Sequence, residues 1–87
     1  MFVVFKLETG YVGEETTEVY EFDEDTSEDT INEYGQLIAN DNAEMYGHNV
    51  GEVMDGVEYE GGTYTYEILE GMTREEVEEE YGEINNA

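Results

Sequence analysis

Apolar and polar residues alternate along several short stretches of this chain, and between them they recur once at helical spacing over a long stretch. Residues 2–8, FVVFKLE, are β-branched and aromatic and read as a strand. Val3, Phe5 and Leu7 share one face, and Phe2, Val4 and Lys6 the other. TGYVGEE, with Gly10 and Gly13, reads as a turn. TTEVYEF (16–22) reads as a second strand, with Glu18, Tyr20 and Phe22 on one face and Val19 and Glu21 on the other. That mixed pattern suits an edge strand or a strand with one wet face.

A helix is predicted over 27–46. Asp25 or Thr26 can cap it, with Glu28 or Asp29 three residues on completing a capping box. Ile31, Tyr34, Ile38 and Met45 recur at near-helical spacing, and Leu37 widens the stripe. Gly35 costs helix stability, which close packing on a sheet would explain. Gly47 is a stop signal. HNVGEVMDG reads as an irregular connection with a short extended piece. VEYE (57–60), Gly61-Gly62 and TYTYEIL (63–69) then read as a hairpin with a two-residue glycine turn. In that hairpin Val57 and Tyr59 face the same way as Tyr64, Tyr66 and Ile68. Thr73-Arg74-Glu75-Glu76 is a second capping box, opening a short helix to Tyr81 with Val77 and Tyr81 on its apolar side. EINNA, 83–87, reads as a frayed tail.

The expected fold is α+β, in the order ββαββα. A mainly antiparallel sheet of about four strands carries one long helix on a face and a short C-terminal helix. Residues 1–87 read as one domain, with no repeat or linker. Strand order is not encoded in these patterns.

Charge changes the picture. Twenty-five acidic residues face two basic ones, Lys6 and Arg74, for a formal net charge of -23. Acidic chains of this kind are often disordered, but those are poor in aromatics. Eight tyrosines, three phenylalanines, no proline and 38% hydrophobic residues argue for a folded chain. Repulsion on this scale costs folding free energy, and solubility alone would not require it. Such a field attracts basic clefts and repels nucleic acid and anionic membranes. No apolar run approaches the roughly 18 residues of a membrane span. The start is short for a signal peptide and lacks a basic segment. The absence of cysteine fits a reducing compartment. The expected location is the cytoplasm.

Candidate chemistry is thin. Asp23, Asp25 and Ser27 match the first, third and fifth places of a calcium loop. Glu28 then stands where that loop needs glycine, and Tyr34 where it needs a bidentate glutamate. Helix capping accounts for the run better. His48 is the only strong nitrogen ligand, and there is no sulfur ligand from cysteine, so a zinc site is not expected. Carboxylate pairs at catalytic spacing are inevitable among 25 acids and single out nothing. His48 follows the helix stop with no Ser or Cys nucleophile motif beside it. It reads as a helix-end residue whose cationic form the acids would favour. Gly61-Gly62 has no basic neighbour to hold phosphate. Tyr64 and Tyr66 could stack on bases, but the field opposes the accompanying phosphate contacts. The reading is therefore no enzyme, no cofactor, no metal, no direct nucleic-acid binding and no membrane.

The acids themselves are the candidate site, through three groups. The helix entry carries Asp23, Glu24, Asp25, Glu28 and Asp29. The hairpin carries Glu58, Glu60 and Glu67, and the last helix carries Glu75, Glu76, Glu79 and Glu80. Residues two apart on a strand face lie about 6.6 Å apart, near the phosphate step of one nucleic-acid strand. The bland alternative is a halophile-type solvated surface. Low lysine fits it, while twenty glutamates to five aspartates fit it less well. A further alternative is an acidic structural or regulatory module for a basic protein.

Size, charge and the run of strands with one helix resemble the small acidic inhibitors that phages and mobile elements direct at host defence. Those include DNA-mimicking anti-CRISPR and anti-restriction proteins and uracil-glycosylase inhibitors. FDEDTSEDTINEYGQLIANDNAEMYG resembles the acidic helix entry and helix of small phage proteins. The resemblance implies a stoichiometric inhibitor with no chemistry of its own. Its partner would be a basic nucleic-acid-binding protein or complex of the host.

Overall fold

The computed structural model describes residues 1–87. In chain order the elements are β1 (Phe2–Glu8), β2 (Thr16–Glu21), α1 (Glu28–Met45), β3 (Val53–Met54), β4 (Val57–Glu58), β5 (Thr63–Leu69), α2 (Arg74–Tyr81) and β6 (Ile84–Asn86). The fold is α+β: a four-stranded mixed sheet of order β5-β1-β2-β6, a separate β3–β4 ribbon and two helices.

β1 is the most apolar strand and sits between two antiparallel partners. Phe5 lies opposite Glu18 of β2 on one side and Tyr66 of β5 on the other. β2 and β5 both oppose β1, so they run the same way, and α1 carries the chain from one to the other. α2 then crosses the opposite face and returns the chain to β6, which pairs in parallel with β2. Ile84–Asn86, expected as a frayed tail, is therefore an edge strand. Val19 opposes Ile84, and the Ala87 amide donates to the Glu21 carbonyl at 3.2 Å.

Each face of the sheet has its own core. Under α1 lie Val3, Phe5, Leu7, Tyr20, Phe22, Ile31 and Ala39. Phe5 is the hub, with Tyr20, Tyr64, Tyr66, Tyr34 and Phe22 ringed around it at centroid distances of 5.8 to 6.5 Å. Tyrosine suits this thin core because its ring packs inward while its hydroxyl reaches the wet rim. Tyr64 donates to Asn32 at 2.8 Å and Tyr20 to Glu18 at 2.7 Å. Burial and the adjacent Glu18 carboxylate push the Tyr20 phenol well above its ordinary pKa. Under α2 lie Val19, Leu69 and Val77, with Phe2, Val4 and Met72 packed around them.

The α1 stripe differs from the expected one. Ile31, Gly35, Ala39 and Ala43 form the buried row, four residues apart. Tyr34 and Ile38 flank it half-buried, as partners of the core. Met45 (86% exposed) and Leu37 (63%) face solvent. At about 100° per residue, Met45 lies roughly 160° around the helix from Ala43. Small residues line the row because the helix sits close to the sheet. A Cβ on Gly35 would come within 2.7 Å of the Tyr64 ring. The N-cap also differs: Ser27, rather than Asp25 or Thr26, accepts from the Thr30 amide at 3.2 Å. The second capping box forms as expected, from Thr73 and Glu76.

The hairpin assignment is overturned. β4 pairs with β3, and β5 pairs with β1. The tight turn is Asp55-Gly56, with φ of 53° and 79°, the left-handed pair that an Asp-Gly two-residue turn favours. Gly61-Gly62 instead threads the chain past α1. Gln36 donates to the Gly62 carbonyl at 3.0 Å, and the Gly62 amide donates to Asn40 at 3.1 Å. A Cβ on Gly62 would lie 2.3 Å from the Ala39 carbonyl oxygen, so the glycine is required by close approach.

Candidate functional site

Every one of the acids singled out from the sequence is exposed. The structure does not gather them into one patch. Asp23, Glu24 and Asp25 sit in the β2–α1 connection, with Glu28 and Asp29 in the first turn of α1. The Ser27 cap and the helix dipole hold this corner, since acids stabilise a helix start. Glu58 lies in the β3–β4 ribbon and Glu67 on β5, paired opposite Val4 on the α2 side of the sheet. The two belong to different sheets, so Glu58, Glu60 and Glu67 do not share the hairpin expected of them. Glu75, Glu76, Glu79 and Glu80 project from α2.

Three of these acids also have internal tasks. Glu28 accepts from the Tyr66 hydroxyl at 3.5 Å. Glu24 pairs with the N-terminal ammonium at 3.1 Å. Glu76 accepts from the Thr73 amide at 3.1 Å in the capping box. Three further exposed acids on α1, Glu33, Asp41 and Glu44, lie outside the three groups expected from the sequence. Together with Asp29 they run along the helix, and their spacing of three, four or eight residues was the signal for a shared side.

The chain's own cations are spent internally. The N-terminus pairs with Glu24, Lys6 with Glu8 at 3.5 Å and Arg74 with Glu21, while the His48 ring is hydrogen-bonded to Glu14 at 2.9 Å. Arg74 also lies over the Phe2 ring, 5.6 Å from its centroid. None of the remaining carboxylates has an internal cationic partner. The Cα trace measures 47 × 26 × 16 Å, so the uncompensated charge is laid along an elongated body.

His48 is more than a helix-end residue. It reaches across to Glu14 in the β1–β2 loop and stacks on Tyr11 at 4.2 Å, with 13° between the ring planes. Thr9 donates to the same Glu14 oxygen at 2.6 Å. That hydroxyl bond, and then His48, hold the Glu14 carboxyl below its usual pKa against the opposing effect of burial. The Thr9 hydroxyl points at Glu14 rather than at His48. The trio is thus a clamp joining the β1–β2 loop to the end of α1, and not a nucleophile–base relay.

Beside the clamp runs a groove of about 460 Å³, between the β1–β2 loop and the β3–β4 ribbon. Tyr11, Met54, Val57 and Tyr59 line it with Glu52, Glu58 and Glu60. No helix of the chain is long and apolar enough to cross a membrane. No protein-family model, curated protein or solved structure matches the chain.

Proposed function

We propose that this protein is a non-enzymatic inhibitor that imitates nucleic acid. In this reading it fills the basic DNA- or RNA-binding groove of a host defence nuclease complex. A CRISPR–Cas effector is the first choice of target, and a restriction or repair enzyme the next. One observation carries the reading, the linear density of charge. A net charge of -23 along 47 Å is one charge per about 2 Å, against one per about 1.7 Å along duplex DNA. A groove built for duplex phosphates therefore meets a nearly matched charge, presented on a body 26 by 16 Å in cross-section. Lysine and arginine side chains of the target make the contacts. Long-range attraction speeds encounter, and affinity falls steeply as salt rises.

The test is competition. A labelled duplex bound to the candidate nuclease is titrated with the protein while anisotropy is read. Stoichiometric displacement at low salt, lost as salt rises, is the expected result. The triple reversal Asp25→Lys, Glu28→Lys, Asp29→Lys should weaken displacement severely while the far-ultraviolet circular dichroism keeps the parent shape. A ternary complex of nuclease, duplex and protein, or an unchanged affinity for the triple variant, overturns the proposal. The acids would then be a solvated surface or would hold a basic protein without blocking it.

A further inference from the structure

We propose that the groove between the β1–β2 loop and the β3–β4 ribbon is a receptor for a lysine or arginine side chain of a basic protein partner. The inference shares with the reading above only the class of partner. Its walls combine two chemistries. Tyr11, Met54, Val57 and Tyr59 supply an apolar and aromatic lining, while Glu58 and Glu60 supply charge and the Glu52 carboxylate already accepts from the Asn49 amide at 3.3 Å. Lysine and arginine have that same division, an apolar stem and a cationic head. The stem can lie along Met54 and Val57, the head among the carboxylates and against a tyrosine face.

The groove is built before any ligand arrives. Tyr59 donates its hydroxyl to the Thr9 carbonyl at 2.8 Å, and its amide to the Glu52 carbonyl at 2.7 Å. Tyr11 is held by its stack on His48. The Asp55-Gly56 turn sets the ribbon that carries Met54 and Val57. What the groove lacks is a cation. The N-terminal ammonium, Lys6 and Arg74 are all paired with acids outside it, His48 is bonded to Glu14, and Glu58 and Glu60 enter no ion pair. Met54 and Val57 stay 50% and 70% exposed, an apolar surface rimmed by acids. Charge complementarity selects the occupant. A nucleic acid or an anionic membrane is repelled by the rim, and a second copy of the chain brings another net charge of -23.

The experiment is an amide-resonance titration of the whole protein at low salt. The probe is a capped pentapeptide with one arginine among alanines, and the control replaces that arginine by norleucine. Shifts should concentrate on Tyr11, Met54, Val57 and Tyr59 with the arginine peptide and be absent with the control. Glu58→Gln with Glu60→Gln should weaken the peptide about five- to tenfold. Glu75→Gln with Glu79→Gln on α2 should change it less than about twofold. Val57→Ser, at an exposed position, should weaken it with the rest of the spectrum unmoved. Shifts spread evenly over α1 and α2, equal losses from the two glutamine pairs, or no local shift at millimolar peptide would each overturn the proposal. So would the same shifts arising from protein concentration alone, which would assign the groove to a second copy. Nucleic-acid displacement is not read in this titration, so either proposal can fail while the other stands.

Discussion

Replacing Gly35 by alanine should weaken this protein even though alanine is the better helix former. Gly35 is buried in the middle of α1, and its missing Cβ is where the Tyr64 ring sits. The added methyl would lie 2.7 Å from two ring carbons of Tyr64 and 3.0 Å from Phe5. Tyr64 has little freedom to withdraw, because its hydroxyl is tied to Asn32 at 2.8 Å. Phe5 is fully buried at the hub of the aromatic cluster. Helix propensity favours the variant by about 0.8–1 kcal/mol. Overpacking of a tight core costs about 1–3 kcal/mol. The net expectation is a loss of about 0–2 kcal/mol. For a domain of this size each kcal/mol moves the melting temperature by roughly 4–8 °C. Thermal melts by circular dichroism read the shift directly. The same substitution in a Tyr64→Ala background, in near-molar salt to screen repulsion, should become neutral or stabilising, since the obstructing ring is gone. A stabilising Gly35→Ala in the parent would refute the close seating of α1, and with it the placement of the acids along that helix.

Three other expectations follow from the packing and the charge. Ile31→Ala should cost about 2–5 kcal/mol because Ile31 is fully buried, and the half-buried Ile38→Ala clearly less, read by urea titration. Equal losses would contradict the buried row of α1. Added salt should raise the melting temperature, because it screens a repulsion that the ion pairs of the N-terminus, Lys6 and Arg74 do not offset. A melt indifferent to salt would remove net self-repulsion as a cost of the fold. Glu14→Gln should be destabilised most at neutral pH. The folded carboxyl is held low, chiefly by Thr9 and then by His48, so its contribution is full above the ordinary carboxylate pKa and is lost as pH falls from there through the lower folded pKa. The gap between variant and parent melts should therefore close on acidification, and a gap that widens would reverse the assigned sign.

The sequence alone determined the local elements and the total charge, because both depend on near neighbours or on simple counting. Alternation in FVVFKLE and TYTYEIL put Val3, Phe5 and Leu7 on one face and marked the strand that carries Tyr64 and Tyr66. Thr73 and Glu76 announced their capping box. Only tertiary structure decided the partners. Gly61-Gly62 satisfies the local rule for a hairpin turn, but Gly62 is needed to pass the Ala39 carbonyl and Gly61 lies against the Asn40 side chain, contacts invisible in sequence. Asp55-Gly56 carried an equally good turn signal between strands too short for alternation to reveal. EINNA has no strong pattern of its own and becomes a strand because β2 offers it an open edge. The buried row of α1 differs from the expected stripe because side-chain size does not set burial on a closely seated helix. A helix seated close to a sheet buries its smallest residues, Gly35, Ala39 and Ala43, and leaves Met45 in water. The same distinction applies to the acids. Their number was legible at once, but the separation of Glu58 from Glu67 and the run of Asp29, Glu33, Asp41 and Glu44 along α1 exist only in the folded chain. The groove that joins Tyr11 to Met54, Val57 and Tyr59 likewise exists only there, because its walls come from segments more than forty residues apart in sequence.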